Sequence, residues 1–104
     1  MSSGNVYKGF IYYVVCLING KIYFGQTSRS PEIRWKRHVQ RAFNENESYH
    51  SALHKAICKY GADNFKVYPF IEICAGSLKE LKAKLNWIEI YLIAKYKTQI
   101  TFYN

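Results

Sequence analysis

The sequence has 104 residues, which is enough for one domain with a modest hydrophobic core. Its 15 Lys and Arg residues against 7 Asp and Glu give a formal net charge of +8, so we expect an acidic partner, nucleic acid before an anionic membrane. No apolar run approaches the ~18 residues of a transmembrane helix, and the first residues lack the apolar centre of a signal peptide. This composition argues against a membrane-spanning or secreted protein and predicts a soluble, intracellular one.

The chain begins with a predicted β-hairpin. Residues Phe10–Leu17 and Lys21–Phe24 are rich in β-branched and aromatic residues, and Asn19-Gly20 between them is a strong signal for a tight turn. We expect residues 1–8 to form a loosely ordered tail.

Tyr12 and Tyr23 stand on the two arms of this hairpin. With a two-residue turn, Tyr23 lies opposite Cys16 and shares a face with Tyr12, roughly 13 Å away along the strands. Tyrosines on a sheet face are usually packing residues. Gly25 favours a second interpretation, because a glycine that ends a strand lets a backbone or a ligand come close.

The rest of the chain carries helix signals and one further strand. Ser30-Pro31 is an N-cap followed by a proline at the first helical position, and Ser77 opens a capping box with Glu80. The predicted elements are helices from Pro31 to about Asn44, from Ser48 to Tyr60 with Gly61 as its stop, and from Ser77 to near Lys97, and a strand over Phe65–Cys74 with Pro69 marking an edge or a bulge. The order ββααβα predicts one α+β domain over residues 1–104, a small three-stranded antiparallel sheet flanked by helices.

The helix from Pro31 carries a basic stripe. Helical periodicity puts one set of residues on one side and an apolar set on the other: Arg34, Arg37, His38 and Arg41 against Trp35, Val39, Ala42 and Phe43. The three arginines repel one another, and no carboxylate lies among them to relieve this. A solvated helix face is the commoner explanation of such a stripe, but arginine's planar fork suits a phosphate, so we expect the stripe to face an anion.

Glu89 is the only ionisable carboxylate in the apolar segment from Trp87 to Ala94. Its helical neighbours include Leu85 and Leu92, so it lies at the edge of an apolar face, where an uncompensated carboxylate is costly. We expect its partner to be an arginine, a metal ion or a substrate proton. A structural salt bridge is the alternative.

A third pattern joins His50, His54 and Cys58, which recur every four residues. Three ligands on consecutive turns fit one tetrahedral zinc ion poorly. We interpret them as one face of a helix and predict no structural zinc.

In chain order, these features resemble the GIY-YIG endonuclease family over nearly the whole sequence. The residues that carry the resemblance are the half-motifs Phe10-Ile11-Tyr12 and Tyr23-Phe24-Gly25, Arg34 and His38 on the following helix, Glu89, and the closing Phe102-Tyr103-Asn104. His50-Ser51 is similar to the homing-endonuclease branch. Phe10 stands where the family has its first glycine, with Gly9 one step earlier.

The resemblance implies a metal-dependent DNA endonuclease. Glu89 would hold one Mg²⁺ or Mn²⁺ ion with waters completing the shell, and Arg34 would contact the scissile phosphate. Tyr12 is the preferred general base, with Tyr23 as its hydrogen-bonding partner or the alternative base, and a nearby cation must favour the phenolate. His38 would relay a proton or bind a phosphate, and Asn104 would orient Glu89 or a tyrosine. The residues expected to contact DNA are Gly25, Arg34, Arg37, His38, Arg41 and His50.

The expected partners are therefore DNA and either a separate DNA-targeting domain or a second copy of the chain. A basic module that binds nucleic acid without cutting it is the main alternative. A membrane-surface role fits poorly, because the apolar side of the first helix is needed for the core.

Overall fold

The computed structural model describes residues 6–44 and 51–97. Its elements are β1 (Tyr7–Cys16), β2 (Ile22–Thr27), α1 (Pro31–Ala42), α2 (Ala52–Tyr60), a 3-10 turn (Ala62–Asn64), β3 (Phe65–Ala75) and α3 (Leu78–Tyr96). The predicted α+β order is confirmed, and only the 3-10 turn was not predicted. Tyr7 and Lys8, which we assigned to the N-terminal tail, belong to β1.

The three strands form one antiparallel sheet in the order β2-β1-β3. Pro69 lies on the edge strand β3, at a register shift beside Tyr12 of β1, so both features that we inferred from this proline are confirmed.

The predicted hairpin register is wrong. Tyr23 pairs with Val14 instead of Cys16, and Tyr12 pairs with Gly25. The backbone shows the cause: Gly20 N donates to Cys16 O over 2.8 Å and Cys16 N donates to Lys21 O over 3.0 Å, so residues 17–20 form the turn rather than Asn19-Gly20 alone. The longer turn moves Tyr23 toward Tyr12, and the two ring centroids are 6.3 Å apart.

Local signals fix the ends of the helices. The hydroxyls of Ser30, Ser51 and Ser77 each accept a hydrogen bond from the third following backbone N–H. Gly61 closes α2 with a positive φ of 86°. Because Ser51 is the N-cap, α2 begins at Ala52, later than the predicted start at Ser48, which lies outside the described residues together with His50 and Asn104.

The sheet separates two apolar cores. On one face, Tyr12 and Val14 pack with the buried residues of α1 and α2, and Trp35 lies against this cluster. On the other face, Ile11 and Phe24 pack with the buried leucines of α3. Phe43, which we expected to point inward, is 55% exposed, because α1 has ended at Ala42 and the helical phase no longer applies. No helix within the described ranges has the length and apolarity to cross a membrane.

Candidate functional site

Tyr12 and Gly25 form the centre of the site, where β1 and β2 pair. Tyr12 is fully buried, and its ring and hydroxyl lie directly over Gly25. A Cβ atom on Gly25 would run into that ring and would also come within 2.8 Å of Cε1 of Tyr23. We predicted that Gly25 opens space for a ligand or DNA; the space is instead filled by the side chain of Tyr12.

The two tyrosines are held in protonated form by their surroundings. Burial is the main cause that raises the pKa of Tyr12, and the neighbouring Tyr23 raises it further. Burial also raises the pKa of Tyr23, followed by the charge of Glu89. Arg34 acts in the opposite direction on both phenols, but it does not overcome the burial. A nearby cation, Arg34, thus favours the phenolate as we expected, but burial outweighs it and both pKa values stay raised.

His38 projects from α1 into the interior and not onto an exposed basic stripe. It is only 4% exposed, its Nε2 lies 3.1 Å from the Tyr12 hydroxyl, and the Tyr23 ring meets it edge-on. Burial lowers the pKa of His38 to about 3, with further lowering by the charges of Arg34, His54 and Arg41. The predicted stripe thus divides: Arg37 and Arg41 are exposed, Arg34 is half-buried, and His38 faces the sheet.

His54 is a site residue that the sequence interpretation missed. Its Nε2 lies 3.1 Å from Nδ1 of His38, and it is 8% exposed. We assigned His54 to a helix face shared with His50 and Cys58, but it belongs to the core face. Its position in the sequence could have indicated the core face, because it is next to Leu53 and one turn before Ile57, both of which are buried.

Glu89 is held at the other side of the site by an amide. Gln26, the residue after Gly25, donates from Nε2 to Glu89 Oε2 and to Asn86 Oδ1, each over 2.6 Å. Within the described ranges, Glu89 has no ion-pair partner, so neither the arginine partner nor the structural salt bridge is observed there. Burial raises the pKa of Glu89, and the bond from Gln26 only partly offsets this. Gln26 and Asn86 were not predicted from the sequence.

A small basic cavity shares Arg34 with the tyrosine site, because this arginine lines the cavity and also hydrogen-bonds Tyr12. Its volume is 170 Å³, and three of the residues that line it are arginines. The lining consists of Thr27, Ser28, Arg29, Ile33, Arg34 and Arg37. In the described part of the chain, none of these arginines forms an ion pair with a carboxylate. Arg29 was not singled out from the sequence; it lies in the loop that joins β2 to α1.

The donor set around Glu89 suits a hard divalent cation. The described residues contain no group of three His, Cys, Asp or Glu side chains that would enclose a metal ion. Mg²⁺ commonly binds through one or two carboxylates while keeping several waters. Glu89 fits this mode, because its carboxylate is desolvated and no cation among the described residues compensates its charge.

A family model of the GIY-YIG catalytic domain matches residues 8–104. The chain belongs to the GIY-YIG family. Members of this family are nucleases, so DNA is the substrate that membership implies. Searches of curated proteins and of solved structures returned no match.

The GIY-YIG fold explains the displaced glycine of the first half-motif. A Cβ atom on Gly9 would lie 2.8 Å from Leu85 Cδ1 and 3.1 Å from Leu81 Cδ1. Gly9 therefore allows α3 to pack closely on β1, and α3 is the helix that carries Glu89. The glycine is needed one residue before Phe10 because Gly9 is on the sheet face that α3 covers.

Proposed function

We propose that this GIY-YIG domain is a metal-dependent DNA endonuclease that hydrolyses phosphodiester bonds. The observation that carries the proposal is that Arg34 on α1 and Glu89 on α3 both come close to Tyr12 on β1. The charge of Arg34 lowers the pKa of the Tyr12 hydroxyl, and the charge of Glu89 raises it. A proton acceptor, a phosphate-binding cation and a carboxylate for a metal ion are the groups that this reaction needs.

Arg34 binds the scissile phosphate in this proposal. It lies between the tyrosines and the basic cavity, so a phosphate that contacts its guanidinium is close to both. Negative charge develops on the phosphate oxygens as the nucleophile adds, and a fixed guanidinium stabilises that charge. Arg29 and Arg37 line the same cavity and would contact a neighbouring phosphate of the strand.

The tyrosine pair accepts the proton of the attacking water. Tyr23 is half-buried whereas Tyr12 has no exposed surface, so Tyr23 is the group that a water molecule can reach. Tyr12 shares a hydrogen bond with Tyr23 and takes part in the proton transfer through that bond. We therefore place Tyr23, and not Tyr12, in contact with the attacking water.

Glu89 would hold the divalent cation, and Gln26 fixes the orientation of its carboxylate. Mg²⁺ or Mn²⁺, when bound, would neutralise charge on the phosphate and lower the pKa of a bound water. Asn86 shares the Gln26 amide and restricts how far Gln26 can rotate. An orienting role for Asn104 stays a prediction, as do DNA contact by His50 and a homing role.

Plasmid cleavage tests this proposal against the binding-only alternative. We expect the protein to convert supercoiled plasmid to the nicked form with Mg²⁺ or Mn²⁺ and to leave it intact with EDTA. One active site cuts one strand, so linear product would need a second copy or a second nick. DNA binding without cleavage under every metal and substrate form would favour the binding module.

A further inference from the structure

A chain of hydrogen-bonding side chains leads from the tyrosine pair into the interior. The Tyr12 hydroxyl lies 3.1 Å from His38 Nε2, and His38 Nδ1 lies 3.1 Å from His54 Nε2. A contact between two ring nitrogens needs one proton between them, so the tautomers of the two histidines are coupled. When Tyr12 donates its O–H to His38 Nε2, neutral His38 carries its proton on Nδ1 and donates it to His54 Nε2.

The surroundings of the tyrosines create a need for such a chain. Burial raises the pKa of Tyr12 and of Tyr23, so neither forms a phenolate readily at neutral pH. An ordinary imidazole has a pKa of about 6.5, much closer to neutrality. A phenol that passes its proton to an imidazole while it takes one from water avoids the free phenolate.

We propose that His54 is the terminal proton acceptor of the chain Tyr12–His38–His54 and that the tyrosine pair acts as a base through it. This inference rests on the proposed function. His54 does not touch the substrate; it acts through His38 and sets the tautomer of that ring.

Hydrolysis through this chain exchanges one phosphorus–oxygen bond for another and moves a proton equivalent to His54. An O–H bond of the attacking water breaks as its oxygen bonds to phosphorus, and the phosphorus–oxygen bond to the leaving group breaks with its electron pair on that oxygen, which takes a proton from solvent. The water's proton goes to the tyrosine pair, and Tyr12 passes its own proton to His38 Nε2. The Nδ1 proton of His38 moves to His54 Nε2, so the product is an imidazolium at His54. The chain is reset when a proton returns along the same path to the tyrosine pair and leaves to solvent from the half-buried Tyr23.

His38 is unsuited to keep the proton itself. It faces Tyr12 on β1, Tyr23 on β2, His54 on α2, and Arg34 and Arg41 on its own helix. Two guanidinium charges and burial oppose an imidazolium at this position. His38 therefore transmits a proton and does not store one.

The variant His54→Gln separates proton acceptance from mere positioning. The glutamine oxygen can still accept a hydrogen bond from His38 Nδ1–H, but it takes no proton at neutral pH. We expect single-turnover cleavage at saturating protein to fall by on the order of 10²-fold or more, with the acid limb of the pH profile displaced, while the Kd for DNA is unchanged. Cys58→Ser, one turn later on α2, is the matched control and keeps the wild-type profile. His54→Gln cutting at the wild-type rate with the same acid limb would overturn the proposal.

A measurement on the free protein tests the chain without any cleavage. Nitrogen NMR of the histidine rings reports which nitrogen of each ring is protonated, and we expect His38 to be neutral with its proton on Nδ1. A proton on His38 Nε2 would contradict the proposed direction. If the wild type fails to cut DNA, the proposed function fails, whereas a wild type that cuts with the wrong His38 tautomer overturns this inference alone.

Discussion

The Tyr12 hydroxyl and Nε2 of His38 lie 3.1 Å apart in the interior, although 26 residues separate them in the chain. Tyr12 reaches this contact because β1 is the central strand, and His38 reaches it because α1 packs across that face of the sheet. The packing of the first core and the geometry of the candidate site therefore depend on the same side chains. Changes at the site are expected to affect stability as well as activity.

The two tyrosines should differ in their response to removal of the hydroxyl. Tyr23→Phe removes the group that meets the water, so we expect cleavage to fall to background at every pH. Tyr12→Phe keeps Tyr23 but breaks the chain to His38, so we expect a loss on the order of 10²-fold that is partly recovered at alkaline pH. Single-turnover rates across pH for both variants provide the measurement. Wild-type activity in Tyr23→Phe would exclude it as the proton acceptor.

Gly25 is required by the packing of the tyrosines rather than by a turn. Gly25→Ala forces a methyl group into the Tyr12 ring, so we expect the free energy of unfolding to fall by about 1–3 kcal/mol and cleavage to be lost. Gly76→Ala is the matched control, because its Cβ would meet Glu80 Oε2 at an ordinary 3.7 Å. Equal stability of the two variants in urea titrations would argue against this account of Gly25.

Arg29 and Arg37 are expected to hold DNA without taking part in the chemistry. Replacing either by glutamine should weaken binding similarly for all sequences and reduce the salt dependence of log Kd by about one phosphate contact. Cleavage at saturating protein should persist, which separates these residues from Arg34. Lys66→Gln on the edge strand β3 makes the same change in net charge far from the cavity. An equal effect of Lys66→Gln would mean that only overall charge matters.

The low pKa of His38 predicts the direction of the pH dependence of stability. A histidine whose pKa is about 3 in the folded protein and 6.5 when unfolded binds more protons in the unfolded state between these values. The contribution of neutral His38 to the free energy of unfolding is complete above pH 6.5 and is lost as the pH falls toward 3. We expect the free energy of unfolding of His38→Gln to fall less steeply than that of the wild type over this range, as measured by urea titration at several pH values. Parallel slopes would contradict the buried, neutral histidine.

Much of this architecture follows from local sequence signals, whereas the site depends on contacts that these signals do not encode. The caps at Ser30, Ser51 and Ser77 act within one turn of helix, and Pro69 marks the edge strand through its missing N–H. The distance between Tyr12 and Tyr23 depends on the exact length of the turn at 17–20, which the Asn-Gly signal did not fix. His54 and Gln26 join the site through tertiary packing, so their roles were visible only in the folded arrangement.

Cleavage of supercoiled plasmid by wild type and Glu89→Gln, with Mg²⁺ and with EDTA, tests the central claim most directly. Glutamine has the shape of glutamate and keeps an oxygen for the bond from Gln26, but it lacks the charge that would hold the metal. Glu72→Gln removes a carboxylate from the exposed strand β3 and serves as the control. The account predicts Mg²⁺-dependent nicking by the wild type and Glu72→Gln, and none by Glu89→Gln with DNA binding retained. Undiminished nicking by Glu89→Gln would contradict it.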